Sequence, residues 1–288
     1  MSRFSSKWLH LREPIDAASR NPELTRQLIT WRRRYNILSI LDLGSGTGAN
    51  VRFLAPALGG GQRWRLVDRD SGLVEHSQMD LHRWATKRDM RVTDKDALLI
   101  LEDETDHYQL EWQCLDLNHD WAQLATPNAR LVTASALIDL TSAEWLERLA
   151  RRCREWRAAV FITLSYDGNI TWEPTTQQDD WLRMGINRHQ HTDKGFGPAL
   201  GPDAAPMLAS QLEKLGYRVD LRPSPWKLEA WDITMQRTLL DEWMDANRQI
   251  ALGSESWLDD WLHERHELIE RGHSRLSIGH WDLFAYLG

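Results

Sequence analysis

The sequence is short of the residues that build extracellular and membrane architectures. It has two cysteines, Cys114 and Cys153, in 288 residues, too few for a disulfide framework or a thiolate zinc cage. No apolar run approaches the roughly 18 residues of a membrane span, and Met1–Arg12 lacks the apolar stretch of a secretory leader. Basic charge is also scarce. Lys plus Arg number 35 against 42 Asp plus Glu, leaving −7 with His neutral, which runs against the basic surface of a protein that grips phosphate backbones. These absences lead to an expected cytoplasmic protein with no membrane and no nucleic-acid partner, its oligomeric state left open. Hydrophobic content of 42% and charged content of 27% are those of a globular chain that can bury a full core. Tryptophan is unusually frequent, 16 residues against five Tyr and five Phe. Each supplies a broad apolar face and one N–H donor, for core packing or for an aromatic pocket.

Strand and helix patterns alternate along the chain. Asn21-Pro22 reads as an N-cap followed by proline at the first helical position, opening a helix to about Arg34, and a shorter helix is expected to begin at Pro14. Ile37–Leu43 is a compact apolar run of strand length. A helix to about Leu58 follows, then a break at Gly59–Gly61. Strands are expected at 63–68, 97–101, 108–117, 131–138 and 159–166, with a helix over 73–86. Thr141-x-x-Glu144 resembles a capping box, and Trp145, Leu146, Leu149, Cys153 and Trp156 follow at helical spacing. This order implies a mostly parallel sheet with helices on both faces. Residues 167–202 read as a long loop with one short helix near Trp181. Helices are expected at 206–215, 230–252 and 255–271, and strands at 217–221 and 276–287.

The strongest chemical signal is Ile40-Leu41-Asp42-Leu43-Gly44-Ser45-Gly46-Thr47-Gly48, a strand running into a glycine turn and a helix. Glycines let backbone approach a ligand, and the helix offers free N–H groups. The Gly-x-Gly-x-Gly spacing differs from the dinucleotide fingerprint. Asp42, two residues before the first glycine, is ill placed for a pyrophosphate and well placed for an ammonium group. Asp68 ends the second strand, where a carboxylate can accept both ribose hydroxyls, and Asp116 ends the next.

Together these residues resemble the class I S-adenosylmethionine-dependent methyltransferases of small-molecule type. The resemblance covers 37–166 well and 203–288 loosely. It implies an α/β, Rossmann-like, doubly wound, seven-stranded, mostly parallel sheet with helical lid insertions. One domain would span 1–288: a lid at 1–36, the cofactor core at 37–166, a lid insertion at 167–202, and a C-terminal part of the sheet at 203–288 with a helical insertion at 229–273. It implies S-adenosylmethionine as cofactor, with S-adenosylhomocysteine as product. Asp42 would lie near the methionine end and Gly44, Ser45, Gly46 and Gly48 beneath the cofactor. Asp68 would hold the ribose, and Asp116, with Leu117 beside it, would face the adenine amino group; Asn118 and Asp120 compete for that last role. Ser135, at the fourth strand end, joins the cofactor candidates.

Methyl transfer is an in-line displacement at an already activated carbon, so the protein mainly positions and desolvates the nucleophile, and a base is needed only if the acceptor loses a proton. The strand ends offer Asp139 and Tyr166. The stretch Arg188-His189-Gln190-His191-Thr192-Asp193-Lys194-Gly195-Phe196-Gly197 offers His189 and His191, which point the same way if that segment is extended. Asp139, Tyr166, His189 and His191 are therefore the catalytic candidates, and no metal is expected. Trp172 and Trp181 are candidates to stack on an acceptor or to pack a lid. The expected activity is methyl transfer to a small polar or aromatic metabolite. Alternatives are a protein or RNA acceptor, or a non-catalytic S-adenosylmethionine-binding regulatory module.

Overall fold

The computed structural model describes residues 5–120, 123–124, 128–250 and 255–288. Ten strands form one mixed sheet: β1 Ile37–Leu43, β2 Gly61–Asp68, β3 Arg91–Lys95, β4 Leu98–Glu102, β5 His107–Cys114, β6 Leu131–Ser135, β7 Ala159–Glu173, β8 Arg218–Pro223, β9 Trp226–Leu228 and β10 Arg275–Tyr286. Their order is β3-β4-β5-β2-β1-β6-β7-β10-β8, with β9 paired to β10. The five strands from β5 to β7 run parallel, and β10 enters antiparallel between β7 and β8. The expected seven strands are corrected to ten. The β3–β4 hairpin extends the sheet beyond β5, and the short β9 pairs with the far end of β10. Strand β3 is mostly exposed, so it carries no apolar alternation for sequence reading to find.

Nine helices flank the sheet among the described residues: α1 Ser6–Ser19, α2 Pro22–Arg32, α3 Ala49–Leu58, α4 Ser71–Thr86, α5 Ala143–Trp156, α6 Asp179–Gln190, α7 Ala204–Lys214, α8 Ile233–Ile250 and α9 Glu255–Glu270. Side-chain alternation along β1 divides the core. Leu38 and Ile40 pack with α2, α3 and α4, whereas Leu41 and Leu43 pack with α5 and α7. A third apolar cluster joins Trp8 of α1 to α6, α8, α9 and the outer parts of β7 and β10.

Three local departures from expectation have physical causes. Helix α1 runs through Pro14 instead of starting there. Ser5 caps it by accepting from the Trp8 N–H at 3.1 Å, and Glu13 is held by Arg52 of α3 at 2.7 Å. Tertiary ties thus outweigh the backbone bond that proline removes. At α5 the cap is Ser142, accepting from the Trp145 N–H, while Thr141 donates its hydroxyl to the Ile138 carbonyl. Strand β7 continues past the expected end at Tyr166, with Ile170 and Trp172 buried between exposed neighbours, so 167–173 is sheet and not loop. The β7–β10 pairing has two register shifts, and one falls at Gly279, where a Cβ would lie 2.1 Å from the Asp167 carboxylate. No helix among the described residues is long and apolar enough to cross a membrane.

Candidate functional site

A cleft of about 590 Å³ opens at the carboxyl ends of β1, β2, β5 and β6, where open α/β sheets place ligands. Its floor is the turn between β1 and α3. Gly46 has φ of +52°, a conformation costly for side-chain-bearing residues, and its N–H donates to Asp68 Oδ2 at 2.8 Å. Asp68 Oδ1 accepts from the Asp70 N–H at 3.0 Å. Asp70 in turn caps α4 by accepting from Gly72 N–H at 2.9 Å. Asp68 thus shapes two turns at once, and burial raises its pKa.

Deeper in the cleft, Asp42 is almost fully buried. Asn50 Nδ2 donates to its Oδ1 at 2.7 Å, and its Oδ2 has no partner. Burial pushes the carboxyl up to about 7, opposed by the Asn50 hydrogen bond and the Arg20 charge. Arg20, at the end of α1, is also buried. It donates from Nη1 to Asn50 Oδ1 at 2.7 Å and from Nη2 towards Ser135 Oγ at 3.4 Å, and it stacks over Phe53 at 4.4 Å. Its Nε is unpartnered, and burial lowers its pKa. A buried acid and a buried base therefore line one cleft, linked through Asn50, and each keeps one side-chain atom that is buried and unpartnered.

Leu9, Arg12 and Asp16 of α1, Thr192–Lys194 and Phe196 of the turn after α6, and Gln249 of α8 also line the cleft. The turn is pinned where Asn118 Nδ2 donates to the Gly195 carbonyl at 2.8 Å, and Phe196 meets Trp145 edge-on at 5.5 Å. Arg12 pairs with Asp16 at 2.9 Å and lies 4.9 Å from the centre of the Trp226 ring.

The candidates distribute unevenly. Asp42, Gly44, Ser45, Gly46, Asp68, Leu117, Ser135 and His189 line the cleft. Gly48 does not; a Cβ there would meet Ser77 Oγ at 2.8 Å and Leu81 at 2.9 Å, so it permits α3 to pack on α4. Asp116 is also off the lining, accepting from the Asn118 N–H at 2.8 Å. Tyr166 donates its hydroxyl to Asn187 Oδ1 at 2.7 Å, away from the lining. His189 and His191 lie at the end of α6 and just after it, not on an extended segment, and His191 Nδ1 turns to the Ala199 carbonyl at 3.3 Å. Asp139 is buried between cleft-lining Leu137 and Leu140, with Oδ1 unpartnered, and burial pushes its carboxyl up to about 6. Among the described residues no three His, Cys, Asp or Glu side chains gather as metal ligands would. Trp172 packs edge-on to Trp243 and Trp261 at 5.7 Å, and Trp181 is exposed; neither lines the cleft.

Sequence reasoning missed Arg12, Asp16, Arg20, Asn50 and Gln249. Asn50 alone had a local signal, a polar residue two positions beyond the last glycine of the turn.

No protein-family model matches the chain, and no curated protein matches it. Among solved structures it is similar to an S-adenosylmethionine-dependent methyltransferase from Geobacter sulfurreducens bound to S-adenosylhomocysteine, with 16% identity, 93% of this chain and 92% of that one covered, and a TM-score of 0.44. It is also similar to one from Thiobacillus denitrificans bound to the same molecule, with 12% identity, 100% of both chains covered and a TM-score of 0.45. A third is a cyclopropane synthase from Mycobacterium tuberculosis, with 14% identity, 90% of this chain and 83% of that one covered, and a TM-score of 0.43.

Proposed function

We propose that the chain is an S-adenosylmethionine-dependent methyltransferase acting on a small acceptor. The observation that carries this reading is the pair of buried, opposite and incompletely bonded charges, Asp42 and Arg20, at the glycine turn. A buried charge without full partners is costly. An amino-acid zwitterion answers both, with its ammonium towards Asp42 and its carboxylate towards Arg20, which line the cleft together. Asp68, beside Gly46, suits the ribose hydroxyls. Leu73, Leu115, Leu117, Leu137 and Phe196 give apolar walls suited to a base. A dinucleotide pyrophosphate would bring negative charge against Asp42.

When bound, S-adenosylmethionine supplies a methyl group on a sulfonium sulfur. The residues of this chain contribute position, dryness and proton handling. Helix α1 and the 191–200 turn cover the cleft and exclude water, which strengthens every polar contact beneath them. Asp139, with its free Oδ1 and a pKa near 6, suits a base that takes the acceptor's proton once the flanking turn admits the substrate. His189 lines the same space and suits an acceptor contact. The size of the cleft, about 590 Å³, falls within the ~300–1,000 Å³ of small-molecule sites.

Calorimetry tests the reading. S-adenosylhomocysteine should bind, 5′-methylthioadenosine, which lacks the amino acid, should bind more weakly, and NAD should not bind. Tight NAD binding with no S-adenosylhomocysteine binding would overturn it.

A further inference from the structure

The cover of the cleft carries a cation that the cofactor leaves unused. Lys194 lies in the turn after α6, partly buried, and lines the cleft with His189, Thr192 and Gln249. Its Nζ donates to Thr192 Oγ1 at 2.9 Å and stands 3.3 and 3.4 Å from Nδ1 and Nε2 of His189. His189 Nε2 also lies 3.2 Å from Gln249 Oε1, which ties the imidazole to α8. No carboxylate among the described residues stands within 4 Å of the ammonium, whose contacts are these neutral groups.

Neighbouring charges are otherwise engaged. Arg12 is paired with Asp16 at 2.9 Å. Asp193 Oδ1 accepts from the Gly195 and Gly197 N–H groups at 2.6 and 3.0 Å. Asp68 and Asp70 hold backbone N–H groups. Arg20 shares no contact with Lys194; it bonds Asn50 and Ser135, and on the methyltransferase reading it would hold the single carboxylate of the cofactor. Burial disfavours the charged forms of both Lys194 and His189. An ammonium partly withdrawn from water, in contact with neutral groups only and lining a ligand cleft, is completed by an anion. The apolar walls from Leu9, Leu137, Leu140 and Phe196 would receive the body of that ligand.

We propose that Lys194, presented by His189 and Thr192, docks a carboxylate or phosphate group of the methyl acceptor, which is therefore an organic acid with an apolar body. This rests on the methyltransferase reading and names its substrate class.

The test uses the full chain saturated with S-adenosylhomocysteine and three probes of similar shape: benzoate, phenyl phosphate and neutral benzamide. Calorimetry should find at least one anion bound at least tenfold more tightly than benzamide, and the preferred anion separates carboxylate from phosphate. Lys194→Met should erase that preference, Lys194→Arg should keep most of it, and both variants should bind S-adenosylhomocysteine within threefold of the parent. Benzamide binding as tightly as both anions, or an anion preference that survives Lys194→Met, would overturn the proposal. Failure of the methyltransferase reading shows separately, as absent S-adenosylhomocysteine binding. The same titration on the free chain then still reads the lysine.

Discussion

The glycine-turn side of the cleft and the side strapped by α1 solve the same problem in opposite ways. On the first side the carboxylates are satisfied by nearby backbone N–H groups: Asp68 reaches Gly46 and Asp70, and Asp70 reaches Gly72. On the second, side chains meet side chains from distant parts of the chain. Arg20 reaches Ser135, 115 residues away, and Trp226 Nε1 donates to Asp16 across 210 residues. Asp282, fully buried, accepts from the Leu164 N–H, the Ser224 hydroxyl and the Asn21 N–H, so it fixes the start of α2 just beyond Arg20. The backbone-built side is not complete either: Ser45 Oγ and Thr47 Oγ1 of the turn are buried without partners. The side-chain-built side leaves Arg20 Nε and Asp139 Oδ1 buried and unpartnered, and Asp42 Oδ2 is in the same state where the two sides meet.

The sharpest way to break this contrast is Arg20→Leu. S-adenosylhomocysteine affinity should fall at least about a hundredfold, ~2.7 kcal/mol, while 5′-methylthioadenosine changes less than about threefold. Equal losses in calorimetry would mean that Arg20 supports the fold of the cleft and not the amino-acid end of the ligand. Asp68→Ala should cost about 1.5–3 kcal/mol of affinity and, because it frees the Gly46 N–H, should weaken both ligands alike. If neither changes, Asp70 becomes the ribose ligand.

Gly48→Ala probes packing behind the turn. Its Cβ must displace Ser77 and Leu81 at φ of +81°, so thermal stability should fall by about 1–3 kcal/mol. The folded fraction should still bind S-adenosylhomocysteine within about threefold; a selective loss of affinity would place Gly48 at the ligand. His189→Ala should lower kcat/KM at least about tenfold, ~1.4 kcal/mol, on the acceptor once found. His191→Ala should do little, since that ring turns to the Ala199 carbonyl, and reversed effects in the two variants would exchange their roles.

Asp42 gives the smallest and most diagnostic effect. Its folded pKa of about 7 lies above its ordinary value of 3.8. In the free chain its stability contribution is therefore whole below about pH 3.8 and is lost as pH rises through about 7. A bound ammonium favours the ionised form, so S-adenosylhomocysteine affinity should be full above pH 7 and roughly tenfold weaker at pH 6 than at pH 8. Asp42→Asn should flatten that profile, and a profile unchanged in the variant would assign the titration elsewhere.

The same contrast explains what was legible in the sequence. β1 was placed at Ile37–Leu43, and α2 opened at its Asn21 cap, because apolar runs and caps are local signals. The glycine turn and Asp68 were legible for the same reason. Arg20 and Arg12 carry no local mark; they acquire meaning only when α1 is laid across strand ends more than a hundred residues away. The extension of β7 was hidden by Gly168, which reads as a break, and β9 has only three residues. His189 and His191 were read with the periodicity of a strand, and helix α6 turned them apart.

The long pairing of β7 with β10 also constrains how the cleft opens. Ile170–Glu173 pair with Arg275–Ile278 beyond the parallel core, and Trp172 on that arm packs against Trp243 of α8 and Trp261 of α9. Arg265 of α9, wholly buried, is paired there with Asp179 of α6. The three helices are thus riveted to the sheet and do not hang from a loop. In amide hydrogen exchange the arm and its helices should open with the global unfolding of the chain. Faster exchange is left to the 191–200 turn, so on the proposed methyltransferase reading substrate would enter and product leave there.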